Sequence, residues 1–216
     1  MKNRGIALLT GLVLLAAISL LALSAASGTV LQRNMAINYQ ENAVALQNAS
    51  IAESYAMAWL NSRAVSERQS GCQTNCLLPI GIHNPGELPA HPEFESIEWW
   101  RSNAFITGYN AQTAETHVTP DQGAEPARWI IEEIHYVDTG DTRDENRAEG
   151  LGYYRVLSRG TGRNPRSVAV TELIAARPWE GEFQQGSFPP DGSNRAFCQP
   201  FENRYDCGRV AWRQKR

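Results

Sequence analysis

Residues 1–26 read MKNRG-IALLTGLVLLAAISLLALSAA: two basic residues, Lys2 and Arg4, stand ahead of Gly5, and an apolar run from Ile6 to Ala26 follows, broken only by small residues such as Thr10 and Ser19. No charged residue occurs between Arg4 and Arg33. A helix over this run is long enough to cross a hydrocarbon core of about 30 Å at about 1.5 Å per residue. The basic residues at its N-terminal side hold that end in the cytoplasm, so the chain after the run lies on the outer side of the membrane.

Three segment types share this pattern: a plain membrane anchor, a secretory signal peptide cut near Ala22–Ala26, and a short leader ending in Gly5 that is removed before Ile6 so that the apolar helix is retained. The residues that follow decide among them. Leu31, Met35, Ile37, Val44, Ile51, Tyr55 and Trp59 continue at helical spacing among Gln, Asn, Ser and Glu, and no proline occurs from Gly28 to Arg68. A cleaved signal peptide gives no reason for helical continuity across its junction. The spacing therefore predicts one helix from Ile6 to about Arg68, apolar in its first half and amphipathic in its second. Gly28, flanked by Ser27 and Thr29, is its weak point, because glycine inside a helix costs about 0.5–1 kcal/mol relative to alanine.

Beyond Arg68 the pattern changes. Prolines at 79, 85, 89 and 92 with Gly71, Gly81 and Gly86 read as loop, and Phe94–Phe105 holds a short helix. Arg128–Val137, Tyr153–Ser158 and Val168–Ile174 are rich in β-formers, and the turn residues Gly160–Pro165 separate the last two. Three such strands make an antiparallel meander, and its apolar face covers Ile51, Tyr55 and Trp59 of the helix. The expected fold is α+β: a long N-terminal helix on a β-meander. The expected organisation is a leader at 1–5, a membrane helix at 6–28, its amphipathic half at 29–68, an irregular region at 69–127, an antiparallel sheet at 128–176 and an irregular C-terminal region at 177–216.

The four cysteines form two close pairs, Cys72 with Cys76 and Cys198 with Cys207. In an oxidising compartment a Cys198–Cys207 bridge pins the tail, worth about 2–3 kcal/mol by loop entropy, and Cys72–Cys76 pins the loop leaving the helix. Cross pairing of the two clusters stays open; a four-cysteine zinc site is the weaker alternative, since neither spacing is C-x2-C. Asp138, Asp141, Asp144 and Glu145 form an acidic loop without EF-hand spacing, which reads as a solvated turn with calcium as the alternative. His83, His91, His117 and His135 make no metal-ligand pair. No nucleophile elbow, H-E-x-x-H or phosphate loop is present, so no enzymatic chemistry and no cofactor is expected. The net charge is −3 over 216 residues, with no basic face standing out, so no nucleic-acid partner is expected. Trp99–Trp100 and the aromatic tail (Phe183, Phe188, Phe197, Phe201, Tyr205) read as local core rather than as an adhesive surface.

The stretches Arg4–Leu9, Leu31–Ala36 and Ala43–Ala52 together resemble the N-terminal region of PilX-type minor pilins, and the hairpin Tyr153–Gly162 with Ser167–Val170 is similar to the final strands of that family. The resemblance implies a subunit of a type IV pilus-like filament, held in the inner membrane with its C-terminal domain in the periplasm. It further implies cleavage by a prepilin peptidase between Gly5 and Ile6, N-methylation of Ile6, and other minor pilins and pilus assembly proteins as partners. Most filament-forming pilins carry Glu at the fifth mature residue, where it neutralises the N-terminal ammonium of a neighbouring subunit. Thr10 stands there in this chain, which implies a subunit used at or near the tip rather than in bulk. The K-type minor pseudopilins of type II secretion share that departure and are the nearest rival. Outside the superfamily, the rivals are a membrane-anchored periplasmic binding or adhesion module and an enzyme secreted after signal-peptide removal.

Overall fold

The computed structural model of the chain describes residues 4–68, 78–107, 109–110, 115–116, 123–138, 150–179, 197–199 and 206–216. It divides into two compact units, Met1–Glu41 and Asn42–Arg216. Helix α1 (Arg4–Ser62) contributes its first part to one unit and its last part to the other. It runs unbroken through Gly28, where an added Cβ would meet nothing within 4 Å. The helix stops at Ser62, earlier than the spacing predicts, and a 3-10 turn at Val65–Glu67 follows. The Glu67 carboxylate closes this turn by accepting from the Ala64 N–H at 2.9 Å.

In the second unit, strands β1 (Ile82–His83), β2 (Phe105–Ile106), β5 (Arg128–Asp138), β6 (Gly150–Thr161), β7 (Val168–Pro178) and β8 (Gly208–Gln214) form one six-stranded sheet. Its order is β1-β5-β6-β7-β8, with β2 also paired to β5, and β3 (Tyr109–Asn110) and β4 (Glu115–Thr116) make a separate two-stranded ladder. The expected meander is present as β5, β6 and β7, antiparallel throughout. Two features correct the expectation. The sheet is mixed, because β1 runs parallel to β5, and the C-terminal region is not all irregular, because β8 adds an antiparallel strand to β7. Arg209-Val210-Ala211-Trp212-Arg213 carries too little alternation to announce a strand; its pairing to β7 supplies the order.

Both faces of the sheet are covered. Trp129, Ile131, Tyr154, Val156, Leu173 and Ala175 form a core with Ala52, Ala56, Trp59 and Leu60 of α1. On the opposite face, Ile130, Leu157 and Val170 meet Leu88 and Trp100. Trp100 belongs to the short helix α2 (Ile97–Asn103), which falls inside the expected Phe94–Phe105 span. Its indole donates to the Pro92 carbonyl at 3.1 Å, and the Ser96 side chain caps α2 by accepting from the Trp99 N–H. Trp99 and Trp100 are therefore core, and the region read as irregular forms a layer over the sheet's back.

Candidate functional site

In the first unit the described apolar residues of α1 lie on an exposed helix surface. The large hydrophobics from Leu8 to Leu23 are 53–74 % exposed. The Ser19 hydroxyl donates to the Leu15 carbonyl at 2.8 Å, so this polar group is satisfied within the helix, as an apolar surrounding requires. α1 is long and apolar enough to cross a membrane. Gly5 and Ile6 lie in its first turn. Leu31, Met35 and Ile37, expected to open the amphipathic half, are exposed, and burial begins only at Ala45.

In the second unit the buried stripe of α1 is Ala45, Ala49, Ala52, Ala56, Trp59 and Leu60, each at most 1 % exposed. Ile51 and Tyr55, expected at the centre of this face, are only half-buried. Small residues let the helix backbone approach the sheet closely. The two backbones come close at Gly160, where an added Cβ would run into the Ala45 carbonyl oxygen and the Ala49 nitrogen. Gly160 is thus a β6 residue that admits the helix, and the turn expected at Gly160–Pro165 occupies only residues 162–167. Beside it the Asn48 amide donates to the Thr161 carbonyl at 2.8 Å.

Charged groups fasten the helix to the sheet at two further places. Glu53, 2 % exposed, accepts from the Thr171 hydroxyl at 3.3 Å, from the Trp212 indole at 2.9 Å and from the Arg209 guanidinium. One α1 carboxylate thereby binds β7 and β8 together. At the helix's C-terminal end, Glu133 accepts from Arg68 Nε at 3.2 Å and Nη2 at 2.9 Å, and from the Tyr154 hydroxyl at 2.9 Å. The Tyr154 hydroxyl in turn accepts from the Trp179 indole at 2.7 Å. Burial alone draws the Arg68 pKa down, but the hydrogen bond and charge of Glu133 outweigh it and hold the group above its ordinary value. The Arg68 guanidinium also lies 3.2 Å from the centre of the Tyr136 ring. Arg177, 1 % exposed, stacks 3.7 Å from the Trp179 ring and donates to the Arg63 carbonyl. Burial pulls its pKa down to about 9, with Tyr154 and Glu67 opposing.

The Glu53 and Glu133 carboxylates are each taken up by donors from other elements. Among the described residues no three His, Cys, Asp or Glu side chains are placed to hold a metal ion. His83 and His91 pair with Glu87 and Glu93, and His135 stacks on Tyr153. His117, Asp141, Asp144 and Glu145 lie outside the described residues, as do Cys72, Cys76, Phe183, Phe188, Phe201 and Tyr205; Asp138 ends β5, half-buried. Cys198 and Cys207 are joined in a disulfide, which excludes cross pairing for that pair and anchors the start of β8.

Two family models match. One, described as type IV pilus assembly protein PilX C-term, covers residues 40–174, and the other, PilX N-terminal, covers residues 4–54. The chain belongs to the PilX family. No curated protein and no solved structure is significantly similar to it. The PilX C-terminal match takes in the α1 stripe, the back layer, β5, β6 and the first part of β7, which is most of the helix-on-sheet body just described. It ends at 174, so the β8 clamp onto Glu53 and the disulfide lie beyond it. The protein is a type IV pilus-related minor pilin of PilX type. The residues that sequence reasoning missed are Glu53, Gly160 and the alanine stripe. A stripe of alanines at helical spacing is a legible signal for close packing; the partners of Glu53 lie more than 100 residues away and left none.

Proposed function

We propose that this PilX-type pilin is a structural subunit without catalytic chemistry that acts in the initiation or tip complex of a type IV pilus, together with other minor pilins and pilus assembly proteins. The reading rests on one observation above all. A helix whose residues from Leu8 to Leu23 are exposed and apolar continues into an α1 segment fixed to a β-sheet by Glu53 and Gly160. Such a chain stores its apolar half in a bilayer and later exchanges lipid for neighbouring apolar helices, with no charged side chain between Arg4 and Arg33 to desolvate. In this reading the subunit sits in the inner membrane as a single-pass protein with its C-terminal domain in the periplasm. A prepilin peptidase cuts between Gly5 and Ile6, and Ile6 is then N-methylated. Thr10 in place of an acid at the fifth mature position favours a terminal rather than a repeating place in the filament.

Mass spectrometry of the protein from cells with and without prepilin peptidase tests this. A mature chain beginning at N-methylated Ile6 only when the peptidase is active is the expected result. A chain beginning near Ala25 or Ser27 in both strains overturns the pilin processing, and one beginning at Met1 in both leaves an uncleaved anchor. The position is tested separately: deletion should abolish or strongly reduce piliation while the wild type carries few copies per filament whatever its length, and unchanged piliation or a copy number that grows with filament length overturns the terminal place.

A further inference from the structure

The back face of the sheet carries an arrangement that the helix–sheet fastening does not explain. Arg128 on β5 and Arg159 on β6 are direct cross-strand partners and point away from α1, on the side of Ile130 and Leu157. Like charges directly opposite one another destabilise a sheet. The row extends: Arg159 pairs with Val170, and Val170 exchanges backbone hydrogen bonds with Arg216. The charges of Arg128, Arg216 and Arg101 of α2 all act on Arg159, and Arg101 acts on Arg128. Among the described residues one carboxylate, Glu125, acts on both Arg128 and Arg159, while the Arg216 guanidinium donates to the Glu93 carbonyl at 3.4 Å. Glu125 pairs with Arg101 at 3.1 Å and reaches Arg159 only at 3.9 Å.

Arg128 feels the charge of Glu125 but makes no ion pair with it. Arg128 is 8 % exposed, its buried Nε has no hydrogen-bond partner, and no carboxylate among the described residues forms an ion pair with it. A cation desolvated without a partner is costly, and here two cations are set face to face. The way in from solvent is at Arg101, whose side chain is 52 % exposed, and Glu125, at 22 %. Glu125 itself is held by its backbone: its N–H donates to the Thr161 hydroxyl at 3.1 Å and its carbonyl accepts from the same hydroxyl at 3.1 Å. Its side chain is therefore free to yield to another anion without the loop moving.

We propose that Arg128, Arg159, Arg101 and Arg216 form an oxyanion-binding site that takes a phosphate-class group, supplied as inorganic phosphate or as a phospholipid headgroup. Several guanidinium forks converging on one place suit a group with three or four acceptor oxygens and more than one negative charge. The bound anion neutralises the Arg128–Arg159 opposition, and Glu125 acts as the internal competitor.

The test is thermal unfolding of the full chain in non-ionic detergent micelles, comparing sodium phosphate with sodium chloride and sodium acetate at matched ionic strength. Phosphate at about ten times its dissociation constant should raise the unfolding midpoint by about 3–5 °C. Phosphate also stabilises proteins generally by exclusion from their surface, so the readout is the difference from Arg128→Gln, which keeps that general effect. Arg128→Gln should equal or exceed the wild type in chloride, since the opposition is gone, and should lose the specific increment. Glu125→Gln should lower the half-saturating phosphate concentration several-fold. Repeating the comparison in nanodiscs with and without phosphatidylglycerol separates the sources: a Arg128-dependent increment seen only with that lipid assigns the site to a headgroup, and one seen already with inorganic phosphate assigns it to the free ion. Equal increments in wild type and Arg128→Gln under every condition overturn the proposal. Acetate matching phosphate in the wild type overturns the phosphate class and points to a carboxylate of a partner protein instead.

Discussion

At the scale of single residues, the head of this pilin depends on a few buried charges that each serve several elements. Glu133 is the clearest. It lies on β5, is 4 % exposed, and neutralises Arg68, itself 2 % exposed, while accepting from Tyr154. Glu133→Gln keeps the shape but leaves a guanidinium buried without its counter-charge, which costs about 3–5 kcal/mol. The expected outcome is a large drop in the denaturant midpoint with an unchanged slope; a change under about 1 kcal/mol would show that water reaches Arg68. None of this was legible in the sequence, where Glu132-Glu133 is an ordinary pair in a strand. The two neighbours have opposite fates because a strand alternates: Glu133 faces α1, while Glu132 faces the back layer, where it binds Arg155 at 2.6 Å and the backbone N–H of Gly86 at 2.9 Å.

At the scale of elements, the contact between α1 and β6 is set by absence of side chain. The alanine stripe and Gly160 bring two backbones together, so nothing soft remains to yield. Gly160→Ala places a Cβ against the Ala45 carbonyl and the Ala49 nitrogen, and the expected cost is about 1–3 kcal/mol, read from the thermal midpoint. Gly28→Ala, on the same helix in open space, should be neutral or slightly stabilising, by up to about 1 kcal/mol, which makes it the matched control. The helix itself was readable from its periodicity and lack of proline, as were β5, β6 and β7 from their β-branched and aromatic content. Strand β8 was not, because it is an edge strand whose residues from Arg209 to Gln214 are exposed and whose order comes from Leu173, Ile174 and Glu53.

At the scale of the whole molecule, buried tyrosines and arginines give stability a marked alkaline dependence. Burial pushes Tyr136 up to about 12, against the opposing charge of Arg68, and raises Tyr154 as well, with Glu133 adding to it. In the unfolded chain both ionise near 10, so the stability they contribute is complete below about pH 10 and is lost as pH rises through about 12. Arg177 acts in the opposite sense: with its native pKa pulled down to about 9 by burial, the native state releases a proton that the unfolded chain keeps, and stability rises from there. Denaturant midpoints should therefore rise slightly between about pH 9 and 10 and fall steeply above, with tyrosinate absorbance appearing together with unfolding. Absorbance that climbs while the far-ultraviolet signal stays native would show the tyrosines to be accessible. The sequence by itself determined the membrane-length helix, its continuity with the amphipathic segment, the three central strands and the family, because each is written in local periodicity or in residues next to one another. The tertiary structure alone decided which charges are buried together, that β8 closes the sheet, and that Arg101 and Arg159 both reach Glu125, with Arg128 across the strand from Arg159 and the charge of Arg216 acting on it. Those residues are far apart along a chain whose overall charge is slightly acidic, and only the cross-strand register and the docking of α2 on the sheet bring their fields to one point.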